Sequence, residues 1–217
     1  MKSRKPPQQA AREGLGQIVQ MHLNTAWQRP VGKHSVIAFN DIRSRVETSG
    51  APLILDSCCG TGESTCYLAA AFPQALVLGV DKSAHRLARH GSARRENYVL
   101  LRADVNDFWR LALAAGWQLF RHYLLYPNPY PKASGFRKRW YGSPALPTLL
   151  NLGGELIVRT NWQVYAEECV LALESAGYQA DYRLLFDEPL MSAFETKYRA
   201  RGDRLFEVYS NLNVGEK

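Results

Sequence analysis

The chain has 217 residues, 46% hydrophobic and 22% charged, a soluble globular balance that excludes wholesale disorder. Its 27 Lys and Arg against 20 Asp and Glu give a net charge of +7, which suits a polyanionic partner as well as it suits a protein that is merely basic. No stretch approaches the roughly 18 consecutive apolar residues of a membrane span, and the basic, polar N-terminus is not expected to be a secretory signal. Cys58, Cys59, Cys66 and Cys169 contain no C-x-x-C pair, which argues against a structural metal and for a reducing cytoplasm.

In chain order, Lys2, Arg4, Lys5 and Arg12 precede or flank the first acid, Glu13, and read as a mobile basic arm. Residues 14–48 are mostly helical, with Val36, Ile37, Ile42 and Val46 at helical spacing, and complete an extension over 1–50. The regular domain, 51–217, opens with Leu53-Ile54-Leu55, a strand that ends in Asp56 and leads through a glycine turn to a helix over 64–72. A second strand, 76–80, ends in Asp81, and Ser83 caps a helix carrying Arg86, Arg89, Arg94 and Arg95. A third, 98–101, precedes Asp104 and a helix over 105–115. The fourth, 119–126, feeds a proline-rich loop and a helix at 137–150. Gly153-Gly154 turns the chain into a fifth strand, 155–158, followed by a helix over 165–176 and strands at 182–186 and 205–211. Apolar strands alternating with crossover helices predict an α/β fold, a mostly parallel seven-stranded sheet with helices on both faces. Ligands in such folds sit beyond the carboxyl ends of the strands, where Asp56, Asp81, Asp104, Asn128 and Asn161 fall.

Gly60 and Gly62 let the backbone of the first turn approach a ligand closely. No lysine follows them as in a phosphate-binding loop, and Thr65 stands where a dinucleotide fingerprint wants a third Gly or Ala. Singly, each acid after a strand reads as a helix N-cap. Together, Asp56 can meet a cation, Asp81 a ribose diol and Asp104 an adenine amine. That set describes S-adenosylmethionine better than NAD, and at this point the chain resembles a class I S-adenosylmethionine-dependent methyltransferase, which implies a Rossmann-like fold. Cys58 replaces the first glycine of that family's loop.

The fourth strand ends in Tyr126-Pro127-Asn128-Pro129-Tyr130-Pro131-Lys132, a loop stiffened by its prolines, and Arg137-Lys138-Arg139-Trp140-Tyr141 adds cations for phosphates and aromatic faces for bases. The bland readings are an ordinary proline loop and a solvated helix start. With Gly153-Gly154-Glu155-Leu156, Arg159-Thr160-Asn161-Trp162-Gln163-Val164-Tyr165 and Thr196-Lys197-Tyr198-Arg199-Ala200-Arg201-Gly202, these segments resemble the bacterial tRNA (guanine-N7-)-methyltransferases. The resemblance implies that Asp56, Gly60, Gly62, Asp81, Asp104 and Asn128 bind S-adenosylmethionine and that Asn128 is the catalytic position. It implies that Lys132, Asn161, Thr196, Lys197, Tyr198 and Arg199 contact tRNA, and that no metal takes part. Asn128 and Asn161 stand where the family has aspartate, and Arg199 where it has glutamate. An amide is no base, but N7 of guanine carries no proton. The expected activity is methyl transfer to a tRNA base, guanine N7 first. The changed acids leave open a different target or a non-catalytic tRNA-binding paralogue. The oligomeric state is open, with a monomer slightly favoured.

Overall fold

The computed structural model describes residues 8–91 and 95–213, so Lys2, Arg4, Lys5 and Arg94 lie outside the described residues. Its elements in chain order are α1 (Leu15–Leu23), α2 (Lys33–Ser49), β1 (Leu53–Ser57), α3 (Glu63–Ala71), β2 (Leu76–Asp81), α4 (Ala84–Leu87), β3 (Tyr98–Arg102) and α5 (Val105–Ala114). They continue with β4 (Arg121–Leu125), α6 (Leu146–Asn151), β5 (Glu155–Thr160), α7 (Gln163–Ser175), β6 (Asp181–Leu185), α8 (Ala193–Ala200) and β7 (Leu205–Asn211). One seven-stranded sheet has the order β3-β2-β1-β4-β5-β7-β6, with β7 antiparallel to both neighbours and the other pairings parallel.

The central strands β1 and β2 are near-continuously apolar because both of their faces are covered. Period-two alternation sends Leu53 and Leu55 into a large core with Leu78, Val80, Phe108, Trp109 and Leu173, whereas Ile54 and Val77 pack with Leu68 and Ala69 of α3 on the other face. The N-terminal helices share the large core through Leu15, Val19, Phe39 and Ile42.

Two expected helices differ. The segment expected as a helix over 137–150 is two 3-10 turns, Ala133–Lys138 and Trp140–Gly142, and then α6. Pro144 holds Ser143 in an extended conformation, ψ 163°, which breaks the segment. The helix after Ser83 is only α4, so Arg89 and Arg95 fall outside it. It ends where the His90 ring turns back to bond the Thr61 carbonyl at 2.8 Å and the Tyr98 hydroxyl at 2.7 Å. Among the described residues, no helix is long and apolar enough to cross a membrane.

Candidate active site

Asp56 is the fourth residue of β1 and is fully buried. Its Oδ2 accepts from Ser64 Oγ at 2.6 Å and Thr65 Oγ1 at 2.7 Å, both in the first turns of α3. That approach depends on Gly79 in the adjacent β2, where a Cβ would overlap Thr65 Oγ1. Asp56 Oδ1 is buried without a hydrogen-bond partner. Burial raises its pKa to about 6, against the pull of the two hydroxyls and with a contribution from Asp81.

The turn after β1 is pinned by its own backbone and by Asp81. Cys58 and Cys59 N–H donate to the Val80 carbonyl at 2.8 and 3.2 Å, and Gly60 N–H donates to Asp81 Oδ2 at 3.0 Å. Cys58 takes φ 65°, the left-handed conformation that a glycine would adopt without penalty. The loop therefore keeps its course with a side chain in place, at a cost of about 1–2 kcal/mol. Gly60 and Gly62 share the left-handed region, and the space where a Gly60 Cβ would stand is open.

Asp81 is buried and already engaged: Oδ1 accepts from Ser83 N–H at 2.8 Å and pairs with Arg86 Nη2 at 3.0 Å. Arg86 is 41% exposed. Ser83, as expected, caps α4. Asp104 caps α5, its Oδ1 accepting from Asn106 and Asp107 N–H, and it lies 3.3 Å from Arg29 Nη2. Of the three acids, only Asp104 takes the N-cap role that each could have had.

β4 pairs directly with β1, so the proline loop leaves the sheet beside the glycine turn. Asn128 is exposed, and its Oδ1 accepts from Tyr130 N–H at 3.2 Å. Tyr126 and Tyr130, on either side, have φ 53° and 43°. Tyr126 N–H donates to the Arg159 carbonyl at 2.8 Å, and its ring packs 5.4 Å from that of Tyr198.

The basic run divides. Lys132, Arg137 and Lys138 are exposed, and Lys138 Nζ lies 5.5 Å over the Tyr130 ring. Arg139, expected on the same charged surface, is instead buried, with its guanidinium against Trp162 at 4.9 Å. Its Nε donates to the Pro129 carbonyl at 3.0 Å, its Nη2 to the Tyr130 carbonyl at 2.9 Å and its Nη1 to Glu168. Glu168 Oε2 also accepts from Tyr141 O–H at 2.8 Å, and Oε1 from Arg12 N–H at 2.9 Å. The aromatic residues after Arg139 are core residues, not a base-stacking face: Trp140 and Tyr141 are both buried.

At the end of the next strand, Asn161 follows β5 and donates through Nδ2 to Asp203 Oδ2 at 3.3 Å. Thr196, Lys197, Tyr198 and Arg199 lie on α8, the first two exposed and the last two half-buried. Below them Arg159 pairs with Glu195 at 3.0 Å and Glu207 at 2.8 Å, which fixes α8 to β5 and β7. Sequence reasoning missed Glu168, Asp203, Glu195 and Gln8. A lone acid on a helix carries no motif. The signal for Arg139 is its place directly before two large aromatic residues, the start of a buried segment.

Residues 50–208 match the model of a family described as "Putative methyltransferase". A tRNA (guanine-N(7)-)-methyltransferase of Rubrobacter xylanophilus is 28% identical to this chain, over 95% of it and 93% of that protein. One from Anaeromyxobacter dehalogenans is 28% identical over 77% of this chain and 89% of its own. Among solved structures, a 16S rRNA (adenine(1408)-N(1))-methyltransferase from Catenulisporales acidiphilia superimposes with a TM-score of 0.55 at 19% identity, covering 79% of this chain and 90% of that one. The 16S rRNA methyltransferase KamB gives 0.56 at 18%, covering 84% and 95%. These two likenesses are of fold.

Proposed function

The chain belongs to this methyltransferase family, and we propose that it transfers a methyl group from S-adenosylmethionine to guanine N7 of a tRNA. The observation that carries the reading is the adjacency of two loops. β1 and β4 are neighbouring parallel strands, about 4.8 Å apart, so the glycine turn and the Asn128 loop stand side by side at their carboxyl ends. The substrate class follows the near full-length likeness to tRNA (guanine-N(7)-)-methyltransferases.

S-adenosylmethionine fits the cleft. Asp56 Oδ1 is a buried carboxylate oxygen short of a donor, which a ligand's ammonium would supply, and the open space at Gly60 lets a ligand approach the backbone. We assign Asp56 to the cationic end of the ligand, Gly60 and Gly62 to its close approach, Asp81 to the ribose hydroxyls and Asp104 to the adenine amine. For Asp81 the assignment requires Arg86 to swing aside. When bound, S-adenosylmethionine supplies an electrophilic methyl whose transfer to a nitrogen lone pair leaves the C–S bonding electrons on sulfur.

Asn128 acts here by position. Its Oδ1 accepts from Tyr130 N–H, which sets the direction of the side chain. Guanine N7 needs no acceptor and no base, which favours the ring nitrogen. Exposed Lys132 and Lys197, with Asn161, Thr196, Tyr198 and Arg199, are assigned to tRNA, and residues 1–50 to an extension of the catalytic domain. A cytoplasmic location follows from that substrate. The test is radiolabel transfer to unmodified tRNA with identification of the product nucleoside. N7-methylguanosine is expected. No transfer by a protein that still binds the cofactor defeats the reading.

A further inference from the structure

Beyond Tyr126, whose N–H donates to the Arg159 carbonyl, the proline loop has few donors with which to anchor itself. Pro129 and Pro131 have no N–H, and Tyr130 spends its N–H on Asn128 Oδ1. Its carbonyls carry the rest of the anchoring, and three successive ones are taken. Arg139 binds those of Pro129 and Tyr130, and Gln8 N–H binds that of Pro131 at 2.8 Å. Gln8 also joins both members of the buried ion pair behind the loop. Its Nε2 donates to Glu168 Oε1 at 2.6 Å, and its Oε1 accepts from Arg139 Nη2 at 3.2 Å. Only an uncharged amide can serve both. A carboxylate would face Glu168, and an ammonium would face Arg139.

We propose that Gln8 is a positioning residue for Asn128, so that residues 8–12 are a strap completing the catalytic loop; this rests on the functional reading above. The left-handed Tyr130, φ 43°, is a conformation that persists only where its surroundings over-determine it. Displacing such a loop by about 1 Å is enough to cost up to about 100-fold in rate. Gln8→Ala keeps the residue-8 N–H on the Pro131 carbonyl but releases the strap from Arg139 and Glu168, without breaking the ion pair. In Gln8→Ala, Glu168 Oε1 keeps the Arg12 N–H and Arg139 Nη2 keeps the Tyr130 carbonyl.

The experiment compares the full chain with Gln8→Ala by initial rates on unmodified tRNA and by hydrogen exchange of the Tyr130 amide. We expect kcat to fall about tenfold, with KM for tRNA, cofactor affinity and Tm unchanged, and the Tyr130 amide to exchange about tenfold faster. A raised KM with unchanged kcat would make the segment a tRNA contact and overturn the proposal. So would unchanged exchange, or faster exchange with full kcat. A wild-type protein that methylates no tRNA defeats the functional reading, while the exchange of the loop still decides the strap.

Discussion

Asn161 and Asp203 meet beyond the end of β5, amide nitrogen to carboxylate oxygen, at 3.3 Å. The resemblance to the tRNA (guanine-N7-)-methyltransferases implies an aspartate where Asn161 stands, and here a carboxylate lies one hydrogen bond away on Asp203. We expect Asp203→Asn to lower kcat/KM on tRNA about tenfold, equivalent to about 1.4 kcal/mol. Asn161→Asp alone sets two carboxylates together and should lower it as well. The double variant restores one acid and one amide, and should recover most of the loss. A double-mutant cycle measures this, and additive losses would show that the pair does not share a charge.

Asp56 makes stability depend on pH. The folded chain holds its proton more tightly than an unfolded one, with a pKa of about 6. Its stabilising contribution is therefore complete below about pH 4 and lost as pH rises through about 6, an amount of about 3 kcal/mol. Asp56→Asn should remove this slope, giving a protein whose urea midpoint between pH 4 and pH 7 varies less with Asp56 absent. Buried His122, with its pKa lowered by burial to about 3, contributes the opposite slope below about pH 6.5, so the difference between variant and wild type is the quantity to read.

Removing the Asp81 carboxylate strands the Gly60 and Ser83 N–H groups and takes away the acceptor assigned to the ribose. Asp81→Ala should weaken S-adenosylmethionine binding by about 1–3 kcal/mol in calorimetry. Equal affinities would remove Asp81 from the cofactor site.

Asn128→Asp preserves the turn, because a carboxylate oxygen accepts from Tyr130 N–H as the amide does. It adds a negative charge near the purine cation formed by N7 methylation. The rate should be preserved or raised, while Asn128→Ala, which loses the turn, should lower it at least tenfold. A variant with aspartate that is slower than wild type in the same tRNA assay would show that the free amide N–H is needed.

The cations at 137–139 should separate by function. Arg137→Ala and Lys138→Ala remove exposed charges and should each flatten the salt dependence of tRNA affinity by about one unit of log-log slope, leaving Tm unchanged. Arg139→Ala leaves Glu168 buried without its counterion and should cost about 3–5 kcal/mol of stability. Equal behaviour of the three alanine variants in filter binding and thermal melting would contradict the partition.

The parallel sheet was legible because Leu53-Ile54-Leu55 and Leu76-Val77-Leu78 alternate between two covered faces, a pattern that chain sequence carries directly. The acids at strand ends were legible for the same reason: a strand's end fixes where the next side chain emerges. Direction was harder to read. Arg139 and Arg137 look alike in sequence, yet one lies in the core and one in water, because only the packing of Trp140 and Tyr141 decides which way the turn rolls. The segment at 137–150 has enough apolar residues for a helix, but Pro144 outweighs them locally. Gln8, polar and in a tail, carries no signal at all, since its partners lie far along the chain.

Gln8 and Glu168 are 160 residues apart in sequence. A chain made from its N-terminus contains the residues of β1, β4 and the proline loop before Glu168 exists, so during synthesis Arg139 waits for the carboxylate that pairs with it. The loop's support is thus complete only once α7 has been made, late in the chain.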